Sequence, residues 1–89
     1  MKSRRTKAFR KLLESLPEDI QQQARTAYRA WRKDVWASRF EFKQVHPSKP
    51  VYSIRVNYHY RAVGIRNGDE VTWFWIGPHA AYDNLLHRL

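Results

Sequence analysis

Near Trp36 the spacing of apolar residues changes, and that change limits the folds open to this chain. Before it, apolar residues recur at helical intervals: Phe9, Leu12, Leu13 and Leu16, then Ile20, Ala24, Ala27, Tyr28 and Trp31. Residues at i, i+3, i+4 and i+7 share one helix face, so both stretches read as amphipathic helices. After it, Arg39-Phe40-Glu41-Phe42-Lys43-Gln44-Val45 alternates polar with apolar, as a half-buried strand does. A chain that makes its helices first and its strands afterwards does not build alternating β-α-β units. It reads as an α+β fold, with helices segregated onto one face of an antiparallel sheet and the other face partly open.

Local signals divide the chain further. Met1 to Arg5 is basic and reads as a short edge strand or a loose arm. Thr6 suits an N-cap, because its hydroxyl can accept from a free amide of the first turn. Leu16-Pro17-Glu18-Asp19 is a break and a restart, with proline and two carboxylates at the positive end of a second helix running to about Asp34. With so short a link the two helices are expected to form a hairpin. His46 to Pro50 is a turn, and Val51 to Val56 a strand with Tyr52, Ile54 and Val56 on one face and Ser53 and Arg55 on the other. Asn57-Tyr58-His59 connects to a strand from Tyr60 to Arg66, and Asn67-Gly68 signals a type I′ hairpin. Val71 to Ile76 is the richest strand, expected to be central and covered on both faces. Gly77-Pro78 ends it, and His79 to Leu89 reads as a short C-terminal helix with Tyr82, Leu85, Leu86 and Leu89 on one face. The expectation is one domain over residues 1–89: a helical hairpin, an antiparallel sheet and a terminal helix.

Composition bears on partners rather than on fold. Seventeen Lys and Arg against eight Asp and Glu give a formal net charge of +9. A surplus of that size favours a polyanion: nucleic acid first, then an acidic protein, then an anionic membrane surface, with a merely solubilising surface as the bland alternative. The chain has no cysteine, which excludes disulfides and thiolate metal sites and fits a reducing cytoplasm. The basic N-terminus is not followed by an apolar signal-peptide core, and no apolar run is long enough to span a bilayer. The expectation is a soluble cytoplasmic protein with no membrane partner.

Common enzyme signatures are missing. There is no glycine-rich phosphate loop, and His46, His59, His79 and His87 lack metal-ligand spacing, so no metal and no cofactor are expected. The chemistry-bearing residues gather in the sheet. If the Asn57–His59 loop has three residues, Arg55 lies opposite Arg61. Like charges directly opposed on a sheet are unfavourable, unless a phosphate sits between them or each has a carboxylate of its own. A two-residue loop would put Arg61 on the other face. His79 follows the Val71–Ile76 strand at a strand-to-helix junction, where a side chain can aim into a cleft, and imidazole both takes and gives protons near neutrality. The alternatives are a helix-capping role for His79 and a core position for Tyr82.

The series Phe9…Leu16-Pro17…Ile20, Trp31, Phe42-Lys43, Tyr52-Ser53-Ile54-Arg55-Val56, Tyr60-Arg61-Ala62 and Trp75-Ile76-Gly77-Pro78-His79-Ala80-Ala81-Tyr82 resembles the RelE/ParE superfamily of bacterial toxins, from about residue 6 to 86. The resemblance implies a microbial-ribonuclease-like α+β domain and membership of a type II toxin–antitoxin pair. On the favoured RelE-like branch it implies an mRNA endoribonuclease, ribosome-associated and metal-independent, that inhibits translation by 2′-OH attack on the phosphate. Arg55 and Arg61 would then hold the phosphate, His79 would serve as acid or base, and Tyr82 would stack on or orient a base. Lys43, Arg39 and Arg66 are the further candidate RNA contacts. The partners implied are mRNA, the ribosome and a cognate antitoxin, in a toxin–antitoxin hetero-oligomer. Ser53 stands where strongly active members often carry a second basic residue. The alternatives are a ParE-like toxin that inhibits DNA gyrase, and a non-catalytic RNA-binding module.

Overall fold

The change of period near Trp36 is a change of layer. In the computed structural model, which describes residues 1–89, β1 (Lys2–Arg5) leads into α1 (Lys7–Glu14) and α2 (Glu18–Lys33). A 3-10 turn (Ser38–Phe40) follows, then β2 (Lys43–Gln44), β3 (Val51–Arg55), β4 (Tyr60–Asn67), β5 (Glu70–Pro78) and α3 (His79–Arg88). The strands form one sheet in the order β1-β5-β4-β3-β2. β2 to β5 are antiparallel neighbours, and β1 adds to β5 in parallel, from Lys2 opposite Glu70 to Arg5 opposite Trp73. The basic N-terminus is therefore an edge strand.

Thr6 caps α1: its Oγ1 accepts from the Phe9 amide at 3.0 Å. α2 restarts at Glu18, with Pro17 one position outside it. Phe9 and Leu13 of α1 and Ala24, Ala27 and Trp31 of α2 enter one core with Ile54, Ala62, Val71, Trp73 and Ile76. Trp31 and Trp73 are its centre, fully buried and edge to face at 5.3 Å. Rings in that arrangement add favourable electrostatics to a large buried area.

α3 packs on the opposite face of the sheet, which is therefore less open than periodicity implies. Tyr82 and Leu85 close over Val51 and Val63. The apolar period of α3 says that it has a buried side but not which layer receives it. β5 is interior, between β1 and β4, and touches both layers. A bulge in β5 changes which residues face which layer. Val63 pairs with Trp75 but Gly64 pairs with Trp73, so Phe74 is an extra residue in β5. Phe74 and Trp75 both pack toward α3, while Val71, Trp73 and Ile76 face the helix pair. Gly64 is required there: a Cβ would lie 2.9 Å from the Thr72 carbonyl oxygen and 2.8 Å from Val71 Cγ1.

Two local expectations are corrected. Arg39 to Val45 is not one strand; only Lys43–Gln44 join the ladder. Ser38–Phe40 coil into the 3-10 turn, and Glu41 follows in the left-handed region at φ 47°, ψ 44°. Phe40 and Phe42 are both buried, so the alternation recorded burial correctly while the backbone turned between them. The β4–β5 turn is Gly68-Asp69, one residue later than Asn67-Gly68. Of the two only Gly68 has positive φ, at 61°, so this is a glycine-first turn rather than type I′, which needs two such residues.

Candidate active site

The β3–β4 connection fixes the site. It is the three-residue loop Asn57–His59, closed by the Val56 amide donating to the Tyr60 carbonyl at 3.0 Å. The Asn57 side chain holds it: Oδ1 accepts from the amides of His59 (2.8 Å) and Tyr60 (2.9 Å), and Nδ2 donates to Gln23 Oε1 (2.7 Å) on α2. A loop of that length sets Arg55 opposite Arg61. Both side chains project on the α3 face, because Ser53 and Val63 of the adjacent row meet the α3 layer.

The two arginines differ in their partners. Arg55 Nη1 lies 3.6 Å from Glu41 Oε2. Arg61 has no carboxylate; its Nη1 donates to the carbonyls of Asn57 (2.9 Å) and Tyr60 (3.1 Å). Its remaining donors are free for an anion, and the backbone contacts hold the guanidinium in place. Glu41 offsets part of the repulsion between the pair. The carboxylate alternative thus holds for one arginine and fails for the other.

His79 reaches the same place from β5. Arg61 pairs with Gly77 and Tyr60 with Pro78, so the next residue emerges beside the start of β4. Its amide donates to the His59 carbonyl at 2.8 Å. Pro78, not His79, is the N-cap of α3, and no side chain caps that helix. The imidazole is half exposed, with Nδ1 3.6 Å from Asp83 Oδ2 one turn on. Arg55, Tyr58, His59, Arg61 and His79 line one open cleft.

Tyr82 lies beneath this cleft. It is 8% exposed, 6.5 Å from the Trp75 ring and 5.5 Å from His79, with its hydroxyl 3.4 Å from Ser53 Oγ. Gly77 clears the way for Trp75, whose ring would come within 2.7 Å of a Cβ there. Lys43 pairs with Ser53 and is exposed on the same face, one strand further out. The other two candidate RNA contacts are elsewhere. Arg39 lies over the Phe40 ring at 4.7 Å, in a hollow shared with Gln22, Gln23 and Thr26 of α2. Arg66 is at the far end of β4, held by the Gly68 carbonyl at 3.0 Å between the rings of Tyr52 and Trp36.

Sequence reading missed Glu41, Tyr58, His59 and Asp83. The i, i+4 spacing of His79 and Asp83 is a readable signal; the approach of Glu41 depends on a left-handed residue that the sequence does not announce. A second basic region draws on the ten Lys and Arg of the first 33 residues, which the sequence puts mostly on helix surfaces. Arg5, Arg10 and Arg32 gather round Tyr28 with Ser3 and Arg4, on the α1–α2 side of the sheet. Of these arginines only Arg4 has a carboxylate partner, Glu70 at 3.3 Å.

The fold has known counterparts. The structure of YafQ from E. coli strain BL21(DE3) superposes with a TM-score of 0.71 at 9% identity, covering 90% of this chain and 94% of that one. A RelB-RelE antitoxin-toxin complex from Methanococcus jannaschii gives 0.72 at 17% identity, covering 91% and 95%. RelBE2 of Mycobacterium tuberculosis, also a toxin-antitoxin complex, gives 0.68 at 18%, covering 88% and 96%. Identities this low establish a shared fold. A comparison with curated proteins gave no significant match. The family model of the ParE-like toxin domain matches residues 18–84, three quarters of the chain, including β3, β4, β5 and the start of α3. On that match the chain belongs to the ParE-like toxin domain family.

Proposed function

We propose that the chain is an mRNA endoribonuclease that acts on ribosome-associated message and is neutralised by a cognate antitoxin. The observation that carries this reading is the row Glu41, Arg55, Arg61 with His79 at its far end. It sets two guanidinium groups between a carboxylate and an imidazole. That is the set needed to cut RNA without a metal. Glu41 takes the proton of the ribose 2′-OH, and the 2′-oxygen attacks the adjacent phosphorus. Arg55 and Arg61 hold the non-bridging oxygens as negative charge builds on the phosphorane, where charge-assisted donors stabilise most. His79 gives a proton to the departing 5′-oxygen, and the products are a 2′,3′-cyclic phosphate and a 5′-hydroxyl. Asp83 positions the imidazole, Tyr82 supports it from below, and Lys43 extends the positive track. Ser53, buried against Tyr82, leaves the phosphate to the two arginines.

The similar fold in RelB-RelE complexes and the excess of positive charge support an acidic antitoxin as partner. No helix is long and apolar enough to cross a membrane, and a cytoplasmic location is part of this proposal. A gyrase-directed toxin is the second reading, favoured by the ParE-like description of the matched family.

Brief induction without antitoxin, followed by mapping of mRNA 5′ ends, tests the proposal. New 5′-hydroxyl ends within coding regions are expected. Arg61→Ala and His79→Ala should each relieve growth arrest while remaining folded, since loss of a charge-stabilising donor costs roughly 100- to 1,000-fold in rate and loss of a general acid about 100- to 10,000-fold. Intact message with DNA-damage signalling would support the gyrase reading instead. Full toxicity in both variants would overturn the site.

A further inference from the structure

Tyr58 is 74% exposed, more than either other large exposed apolar residue, Trp36 or Ile65. It is nevertheless not on a loose segment. The loop that carries it is tied at both ends by Asn57, whose amide is itself tied to Gln23 of α2. The Arg55 guanidinium carbon lies 5.8 Å from the centre of its ring, and the His59 ring stands nearly perpendicular to it at 5.0 Å. Its hydroxyl makes no hydrogen bond within the protein, so what the residue presents is the ring. Tyr82, the other tyrosine near the cleft, is buried under it and packed against Trp75.

We infer that Tyr58 is a nucleobase platform, stacking on the base next to the phosphate held by Arg55 and Arg61. This rests on the reading that the cleft takes RNA. A base lies one sugar away from its phosphate, so a phosphate on Arg55 leaves the neighbouring base beside the arginine, where the Tyr58 ring is. Every base has a π face, so the contact tolerates any sequence and positions the strand rather than selecting it. The loop is ordered by Asn57 beforehand, which reduces the entropy lost when a base settles on the ring.

The test uses the full chain and a short single-stranded RNA that is methylated on the central 2′-oxygen and carries 2-aminopurine on either side. Methylation blocks attack, so binding is read without cleavage. Wild type should quench one of the two probes. Tyr58→Ala should lose the quench and bind about tenfold more weakly, the size of one base–aromatic stack. Tyr58→Phe and Tyr58→Trp should keep both. The salt dependence of Tyr58→Ala should match wild type, whereas Arg55→Ala flattens it through loss of a phosphate contact. A Tyr58→Ala variant that keeps the quench and binds within about twofold of wild type overturns the inference. If wild type quenches and Tyr58→Ala does not, yet unmodified message stays intact on the ribosome, the platform stands and the nuclease reading falls. If wild type binds no RNA, both fall.

Discussion

Arg55 and Arg61 face each other across β3 and β4, and only Arg55 has a carboxylate within reach, Glu41 at 3.6 Å. The asymmetry leaves one guanidinium open to an anion and the other held by an internal substitute for one. An incoming phosphate competes with Glu41 for Arg55 and has that carboxylate beside it.

Glu41→Gln should therefore move binding and cleavage in opposite directions. Removing the competing charge should tighten binding of an uncleavable RNA. Removing the base should slow cleavage by roughly 100- to 10,000-fold. Both partners of the ion pair are well exposed, so unfolding free energy should change by less than about 1 kcal/mol. Titration and single-turnover kinetics on the same RNA read both effects; parallel losses would remove Glu41 from the chemistry.

Tyr82 separates support from contact. Its hydroxyl has one long partner, Ser53 Oγ at 3.4 Å, so Tyr82→Phe should cost less than about 1 kcal/mol and leave cleavage per folded molecule unchanged. Tyr82→Ala empties a buried site under His79 and should cost about 3 kcal/mol or more. Denaturant melts measure both, and a Phe variant that folds normally but cleaves poorly would assign the hydroxyl a chemical role.

The bulge makes a stability prediction remote from the cleft. Gly64→Ala puts a methyl group against the Thr72 carbonyl oxygen, which is backbone and cannot turn aside. The expected loss is about 1–3 kcal/mol, read as a lower melting temperature. Gly68→Ala meets open space yet should also destabilise, because φ 61° strains any residue with a Cβ.

Charge on the α1–α2 side should act without specificity. Replacing Arg5, Arg10 and Arg32 with Gln should weaken RNA binding alike for all sequences. If each meets one phosphate, the log–log salt slope should shrink by about 2, at roughly 0.7 per contact for a single strand. An unchanged slope would place the RNA on the α3 face alone.

Most elements can be read from the sequence, and one decisive register can be read as one of two alternatives. Helical and alternating periods are local properties, so α1, α2, β3, β4, β5 and α3 were legible within a few residues. The Arg55–Arg61 opposition follows from side-chain alternation only if the loop has three residues, and the structure supplies that loop length. Tertiary structure alone decided the rest. Glu41 reaches Arg55 because one left-handed residue redirects the chain between two buried phenylalanines. Trp75 faces α3 and Ile76 the helix pair, the reverse of strict alternation from Trp73, because one inserted residue shifts the parity of β5. Arg39 and Arg66, candidate RNA contacts by sequence, lie away from the cleft, and Tyr82 lies below it, because periodicity tells which residues share a face but not what packs on that face. A single-residue shift in a strand sends every later side chain to the other side, and long-range packing rather than local preference selects where such shifts occur.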